Sequence, residues 1–127
     1  MTQPPKPTDA ELEILSVLWE HGPCTVRQVH DLLASNPPRG YTTVLKLLQI
    51  MSEKGLVRRD ERQRAHIYEA ALTNEEVRRS LLGHLMDKAF DSSASQLIMQ
   101  ALATRPASAE ELAEIRRMLD RMEGESK

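Results

Sequence analysis

At 127 residues, 40% apolar and 28% charged, the chain has the composition of an ordinary soluble globular protein, long enough for one full domain or for a small domain with an oligomerisation segment. Its net charge of −2 hides a segregation: residues 39–68 hold Arg39, Lys46, Lys54, Arg58, Arg59, Arg62 and Arg64 against Glu53, Asp60 and Glu61, an excess of four positive charges. The single cysteine, Cys24, excludes an internal disulfide and fits a reducing cytosol, and neither a bilayer-length apolar run nor a signal-peptide pattern is present, so a cytoplasmic protein without membrane insertion is expected.

Aromatic residues make up only 3% of the chain, so its core must be built from Leu, Ile, Val, Met and Ala, which favours helices over sheets. The proline-rich Met1–Pro7 reads as a short disordered or extended lead-in. Thr8-Asp9-Ala10-Glu11 is a capping box opening a first helix to about Glu20, with Ile14, Leu15, Leu18 and Trp19 inward. His21-Gly22-Pro23 stops it. Cys24-Thr25 is too short to stand alone but suits a third, edge strand beside a later hairpin. Thr25 is also the expected N-cap of a second helix, roughly Val26 to Ala34, with Val29, Leu32 and Leu33 inward. Ser35-Asn36-Pro37-Pro38-Arg39-Gly40 is a breaker loop.

Residues 41–54 form the segment around which the rest is arranged. Val44, Leu47, Leu48 and Met51 recur at i, i+3, i+4 and i+7, the stripe of an amphipathic helix. The other face carries Thr42, Thr43, Lys46, Gln49 and Ile50. A hydroxyl at Tyr41-Thr42 is the expected cap, and Lys54-Gly55 the expected stop. Leu56–Arg59 and Ala65–Ala70 then read as two short strands joined by a charged tip, with Ile67 the apolar position of the second. Three helices followed by such a hairpin make a winged helix-turn-helix, whose third helix enters the major groove.

Thr73-Asn74-Glu75-Glu76 caps a fourth helix, with Leu81, Leu82, Leu85, Met86 and Phe90 on its apolar side, and Asp91-Ser92-Ser93 breaks it. A fifth, about Ala94 to Thr104, presents Leu97, Ile98 and Leu102. Ser108-Ala109-Glu110-Glu111 is another capping box, opening a sixth helix with Leu112, Ile115, Met118, Leu119 and Met122 on one stripe. About 50 residues of amphipathic helix bury too little surface to stand alone confidently, and pairing with a second copy is the economical solution. The expected organisation is a winged helix over residues 1–72 and a helical dimerisation domain over 73–127.

The quoted segments Thr8–Leu15, Leu18-Trp19, Thr25–His30, Tyr41–Leu45, Glu53–Arg58 and Arg64–Tyr68 resemble the BlaI/MecI penicillinase-repressor family over essentially residues 8–123. The resemblance implies a dimeric winged-helix repressor on an inverted-repeat operator. In the family's best-known systems a membrane sensor with a zinc protease domain detects β-lactam, and the repressor is cleaved in its dimerisation region. The sequence departs from the family pattern at Ile50, where relatives often carry a basic residue, and at Gln63, where the wing turn usually has glycine. Gln100-Ala101 stands about where penicillinase repressors carry the Asn-Phe pair that is cut, a departure that bears on cleavage and β-lactam induction.

Under this reading the DNA-binding residues are Arg39, Tyr41, Thr42, Thr43, Lys46, Gln49, Lys54, Arg58, Arg59, Arg62 and Arg64. Thr methyls suit thymine, Gln suits adenine and Lys suits guanine or phosphate. Arg27 is a weaker candidate, equally suited to a surface ion pair, and Tyr41 and Tyr68 are expected to pack at the helix–wing junction. The plain reading of the wing arginines is a solvated cluster neutralised by Asp60 and Glu61. His21, Cys24 and His30 lack any standard closed metal spacing, and His66 and His84 are isolated. There is no phosphate loop, His-Glu-x-x-His motif or nucleophile elbow, so neither an enzyme nor a cofactor is expected. The rival is a winged-helix protein-interaction module, supported by Ile50, expected to be exposed on the third helix, and by the overall acidity of the chain.

Overall fold

Short-range hydrogen bonding sets the start of most helices. In the computed structural model, which describes residues 6–34 and 38–125, the Glu11 amide donates to Thr8 Oγ1 (3.2 Å) while the Thr8 amide donates to Glu11 Oε1 (2.8 Å). This reciprocal box opens α1 (Asp9–His21). Gly22, at φ 81°, closes it with its amide on Leu18 O. The same device at Thr25 and Gln28 opens α2 (Val26–Leu32), whose strand-like preface β1 (Cys24–Thr25) is the expected edge strand. Residues 1–5 of the expected lead-in and Ser35–Pro37 of the breaker lie outside the described residues.

Helix α3 (Tyr41–Lys54) starts differently from expectation. Gly40 is its N-cap and no side chain caps it, so the hydroxyls of Tyr41 and Thr42 are not used there. Its end is as expected. Gly55 sits in the left-handed region at φ 83°, where a side chain costs about 1–2 kcal/mol, and its amide donates to Met51 O and Ser52 O. The wing follows as β2 (Val57–Asp60) and β3 (Ile67–Ala70), with β1 completing a three-stranded antiparallel sheet in the order β1-β3-β2. Cys24 pairs with Tyr68, and Arg58 with Glu69.

The core lies where α1, α2, α3 and the sheet meet. Ile14, Leu15, Val29, Val44, Leu48, Met51 and Leu56 are fully buried, each large aliphatic among them contributing about 1.5–3 kcal/mol. Three expectations are corrected. Leu32 is 41% exposed at the last position of α2, where Val29 is the fully buried residue of the turn. Trp19 is only half-buried, its indole Nε1 donating to Leu72 O at 2.9 Å. In β3 the buried residue is Tyr68, with Ile67 half-buried, since successive strand residues face opposite sides.

Helix α4 (Asn74–Ala89) begins with the expected box between Thr73 and Glu76, and Val77 and Ser80 of its first turns are buried. Two compact units divide the chain, Met1–His84 and Leu85–Lys127, so the division falls inside α4. Leu81 packs against the core of the first unit.

In the second unit Asp91 and Ser92 take positive φ (49° and 60°) at the turn after α4, and Ser93 Oγ accepts from the Gln96 amide to open α5 (Ala94–Thr104). The Ser108–Glu111 box opens α6 (Ala109–Glu125). Neither α5 nor α6 has a buried residue. Met99, Met118 and Leu119 are exposed by 68%, 55% and 48%. Among the described residues no helix is long and apolar enough to cross a membrane.

Candidate nucleic-acid interface

Helix α3 is divided lengthwise by its environment. Val44, Leu48 and Met51 have no exposed surface, whereas Thr42, Thr43, Lys46 and Gln49 on the other side are all exposed. Burial of one stripe fixes the rotation of the helix about its axis, and so fixes which side chains face outward. The outward set is two short hydroxyls, an amide and a cation. Lys46 makes no ion pair among the described residues, so its charge is uncommitted. Ile50 is half-buried beside this set, which removes the exposed apolar residue expected of a protein-interaction face.

Two of the expected contact residues are held elsewhere. Lys54 Nζ donates to both carboxylate oxygens of Glu11, at 2.8 and 3.0 Å. Glu11 is 1% exposed. Burial alone would raise its carboxyl pKa, but the Lys54 ammonium and the Thr8 amide outweigh that and hold it below its ordinary value. Lys54 therefore clamps α3 to the start of α1. Arg39 is similarly turned to Glu13 of α1, its Nε and Nη2 each 3.3 Å from Oε2.

Tyr41, at the first position of α3, is 41% exposed and engaged on two sides. The Arg27 guanidinium carbon lies 5.3 Å from its ring centre, and the His30 ring meets it edge-on at 6.1 Å. Both partners come from α2, so these ring contacts join the two helices, while Tyr41 also lines, with Arg64, Ala65 and His66, a hollow where α3 meets the wing. Tyr68 is a core residue.

On the wing, the plain reading holds for three of the four arginines. Arg58 reaches Glu69 across the strands (3.4 Å), Arg59 pairs with Glu61, and Arg62 makes a two-pronged contact with Asp60 at 2.8–3.2 Å. The Arg62 amide also donates to Asp60 Oδ1 (3.0 Å), and these bonds lower the Asp60 carboxyl to about 2. An aspartate bonded to the amide two residues on is a turn signal that was readable in Asp60-Glu61-Arg62. Arg64 is exposed and has no carboxylate partner among the described residues.

Sequence reasoning gave Arg27 only as a weaker candidate and read Glu11 only as a capping residue. Glu11 looked like a capping residue and is one, and nothing local announces that Lys54 reaches it. Among the described residues no group of three His, Cys, Asp or Glu side chains could hold a metal ion. Burial pushes the Cys24 thiol above its ordinary pKa, and its Sγ lies 3.3 Å from Gly22 O.

Comparison with known proteins gives concordant results. The family model described as penicillinase repressor matches residues 7–121. The chain is 33% identical over 116 residues to the transcriptional regulator BlaI of Mycobacterium tuberculosis, covering 91% of this chain and 83% of that protein. It is 20% identical over 120 residues to the penicillinase repressor of Bacillus licheniformis, covering 94% of each. Among solved structures, the solution structure of the DNA binding domain of the repressor BlaI aligns with a TM-score of 0.51 and 24% identity, covering 60% of this chain and 93% of that one, a likeness of fold.

Proposed function

The chain belongs to the penicillinase repressor family, and from that premise we propose that it is a DNA-binding transcriptional repressor acting as a homodimer on a two-fold-related operator. Members of this family are transcriptional regulators and not enzymes. The observation that carries the DNA reading is the division of α3, whose fully buried stripe holds Thr42, Thr43, Lys46 and Gln49 outward on a helix flanked by a wing.

In this reading those four residues meet base edges and adjacent phosphates in the major groove. Arg64 supplies a backbone contact from the wing. Arg58, Arg59 and Arg62 take a secondary part: exposed ion pairs are worth only about 0–1 kcal/mol, so a phosphate can displace Asp60, Glu61 or Glu69. Lys54 and Arg39 serve the fold, through Glu11 and Glu13.

Residues 1–72 act as the reading head and 73–127 as the dimerisation region, with the first turns of α4 packed into the head through Val77. The exposed apolar residues Leu82, Leu85, Ile98, Met118, Leu119 and Met122, with the half-buried Met86, Phe90, Leu97, Leu102, Leu112 and Ile115, supply the surface a second copy covers. Two copies would present their α3 helices to half-sites about one helical turn, or a multiple, apart. Relief by a membrane-sensor protease would act near Gln100 and Ala101, both exposed on α5, after local opening of that helix.

Footprinting on a duplex from the chain's own promoter tests the whole reading. Protection of two symmetric half-sites, lost as salt rises, is the expected result. Absence of any salt-sensitive protection overturns it in favour of a protein-interaction module.

A further inference from the structure

Two hollows flank the wing, and they differ in charge balance. One is lined by Arg58, Arg59 and Arg62, each of which faces a carboxylate from Glu69, Glu61 or Asp60 that lines the same hollow. The other lies between the start of α2, the start of α3 and the wing loop. It is lined by Thr25, Arg27, Tyr41, Leu45, Arg64 and His66, with apolar neighbours and no acidic residue. Neither Arg27 nor Arg64 has a carboxylate partner among the described residues, and the two guanidinium-bearing side chains come from elements 37 positions apart in number, Arg27 and Arg64, brought together only by the fold.

Unbalanced cations lining a concave site are an unfilled demand for an anion. Arginine suits an oxyanion with several acceptors, because its planar fork gives paired donors in fixed geometry. The Arg27 side chain is also restrained in advance: its guanidinium carbon lies 5.3 Å from the centre of the Tyr41 ring, over its face. Tyr41 in turn precedes Thr42 and Thr43, so an anion held here sits at the end of α3 that starts the base-facing set.

We propose that this hollow seats a DNA backbone phosphate between Arg27 and Arg64, with Tyr41 as the positioning residue that holds Arg27 in place. The inference rests on the DNA reading above and deepens it. It makes the α2–wing hollow, and not the arginine-rich strand face, the principal backbone anchor. Such a contact fixes the register of α3 on the duplex and carries no sequence information of its own.

The test uses the full-length protein and a fluorescently labelled duplex of mixed sequence, with binding followed by anisotropy from low to moderate salt. Arg27→Ala and Arg64→Ala should each make the log–log salt slope shallower by about 0.9 for each phosphate contact removed. Arg27→Gln is measured alongside Arg27→Ala, so that loss of charge is separated from loss of the aliphatic stem, and thermal melts confirm that each variant folds. Arg79→Ala, on α4 outside the interface, should leave the slope unchanged. Tyr41→Ala should weaken binding and Tyr41→Phe restore it, because the ring and not the hydroxyl carries the restraint. Wild-type binding with unchanged slopes in all Arg27 and Arg64 variants overturns this inference alone, whereas a wild-type protein that does not bind the duplex overturns the DNA reading with it.

Discussion

Lys54, the last residue of α3, closes onto Glu11, in the first turn of α1, with both carboxylate oxygens within 3.0 Å of its ammonium nitrogen. The contact ties the proposed reading helix to the start of the domain. It also gives a basic residue of the positive segment a structural task.

Lys54→Ala should therefore behave as a stability mutant. It strands a carboxylate that is 1% exposed, and because the Lys54 side chain is itself one-third exposed the cost should fall at about 2–3 kcal/mol, below the range for a fully buried pair. Urea denaturation should show a lowered midpoint at unchanged slope. The salt slope of DNA binding, measured where the variant is folded, should match wild type. A shallower slope with unchanged stability would return Lys54 to the phosphate contacts.

Acid should act through the same pair. The folded-state pKa of Glu11 is depressed, so the unfolded chain binds more protons there, and the stability this carboxylate contributes is present above its ordinary value of 4.5. That contribution is lost as pH falls through the lowered folded value. Denaturation midpoints from neutral pH to below pH 4.5 should fall for wild type and fall less steeply for Glu11→Gln. Equal slopes in the two proteins would show that Glu11 is not a source of acid sensitivity.

On the outward face of α3, Thr43→Ala and Lys46→Ala should leave the melting temperature nearly unchanged, since both side chains are exposed. Each should weaken binding to the chain's own promoter by about 1–3 kcal/mol if it removes a direct base contact. Gel-shift titration reads this directly. Wild-type affinity in both variants would remove α3 from the interface.

A charge placed on α6 tests the dimer. Met118→Glu together with Leu119→Glu puts two carboxylates where the proposed partner copy packs, on residues exposed enough to leave the helix itself intact. Sedimentation should report a monomer, and protection of the paired half-sites should weaken with it. A variant that remains dimeric would move the interface off this stripe.

The element order, the boxes at Thr8 and Ser108, the caps at Thr25 and Thr73, the glycine stop at Gly55 and the orientation of α3 were legible in the residues alone. These features depend on neighbours three or four positions apart and on apolar period, so a linear reading reaches them. The winged helix follows, because three capped helices and a short hairpin have few ways to share one core. Only the tertiary structure decided which charges are free. Lys54 is committed to Glu11 across 43 positions and Arg39 to Glu13 across 26, while Arg27 and Arg64 line one hollow without an acid. Charge pairing on this scale depends on how the helices dock, and the docking is dictated by the buried stripes rather than by the charges themselves.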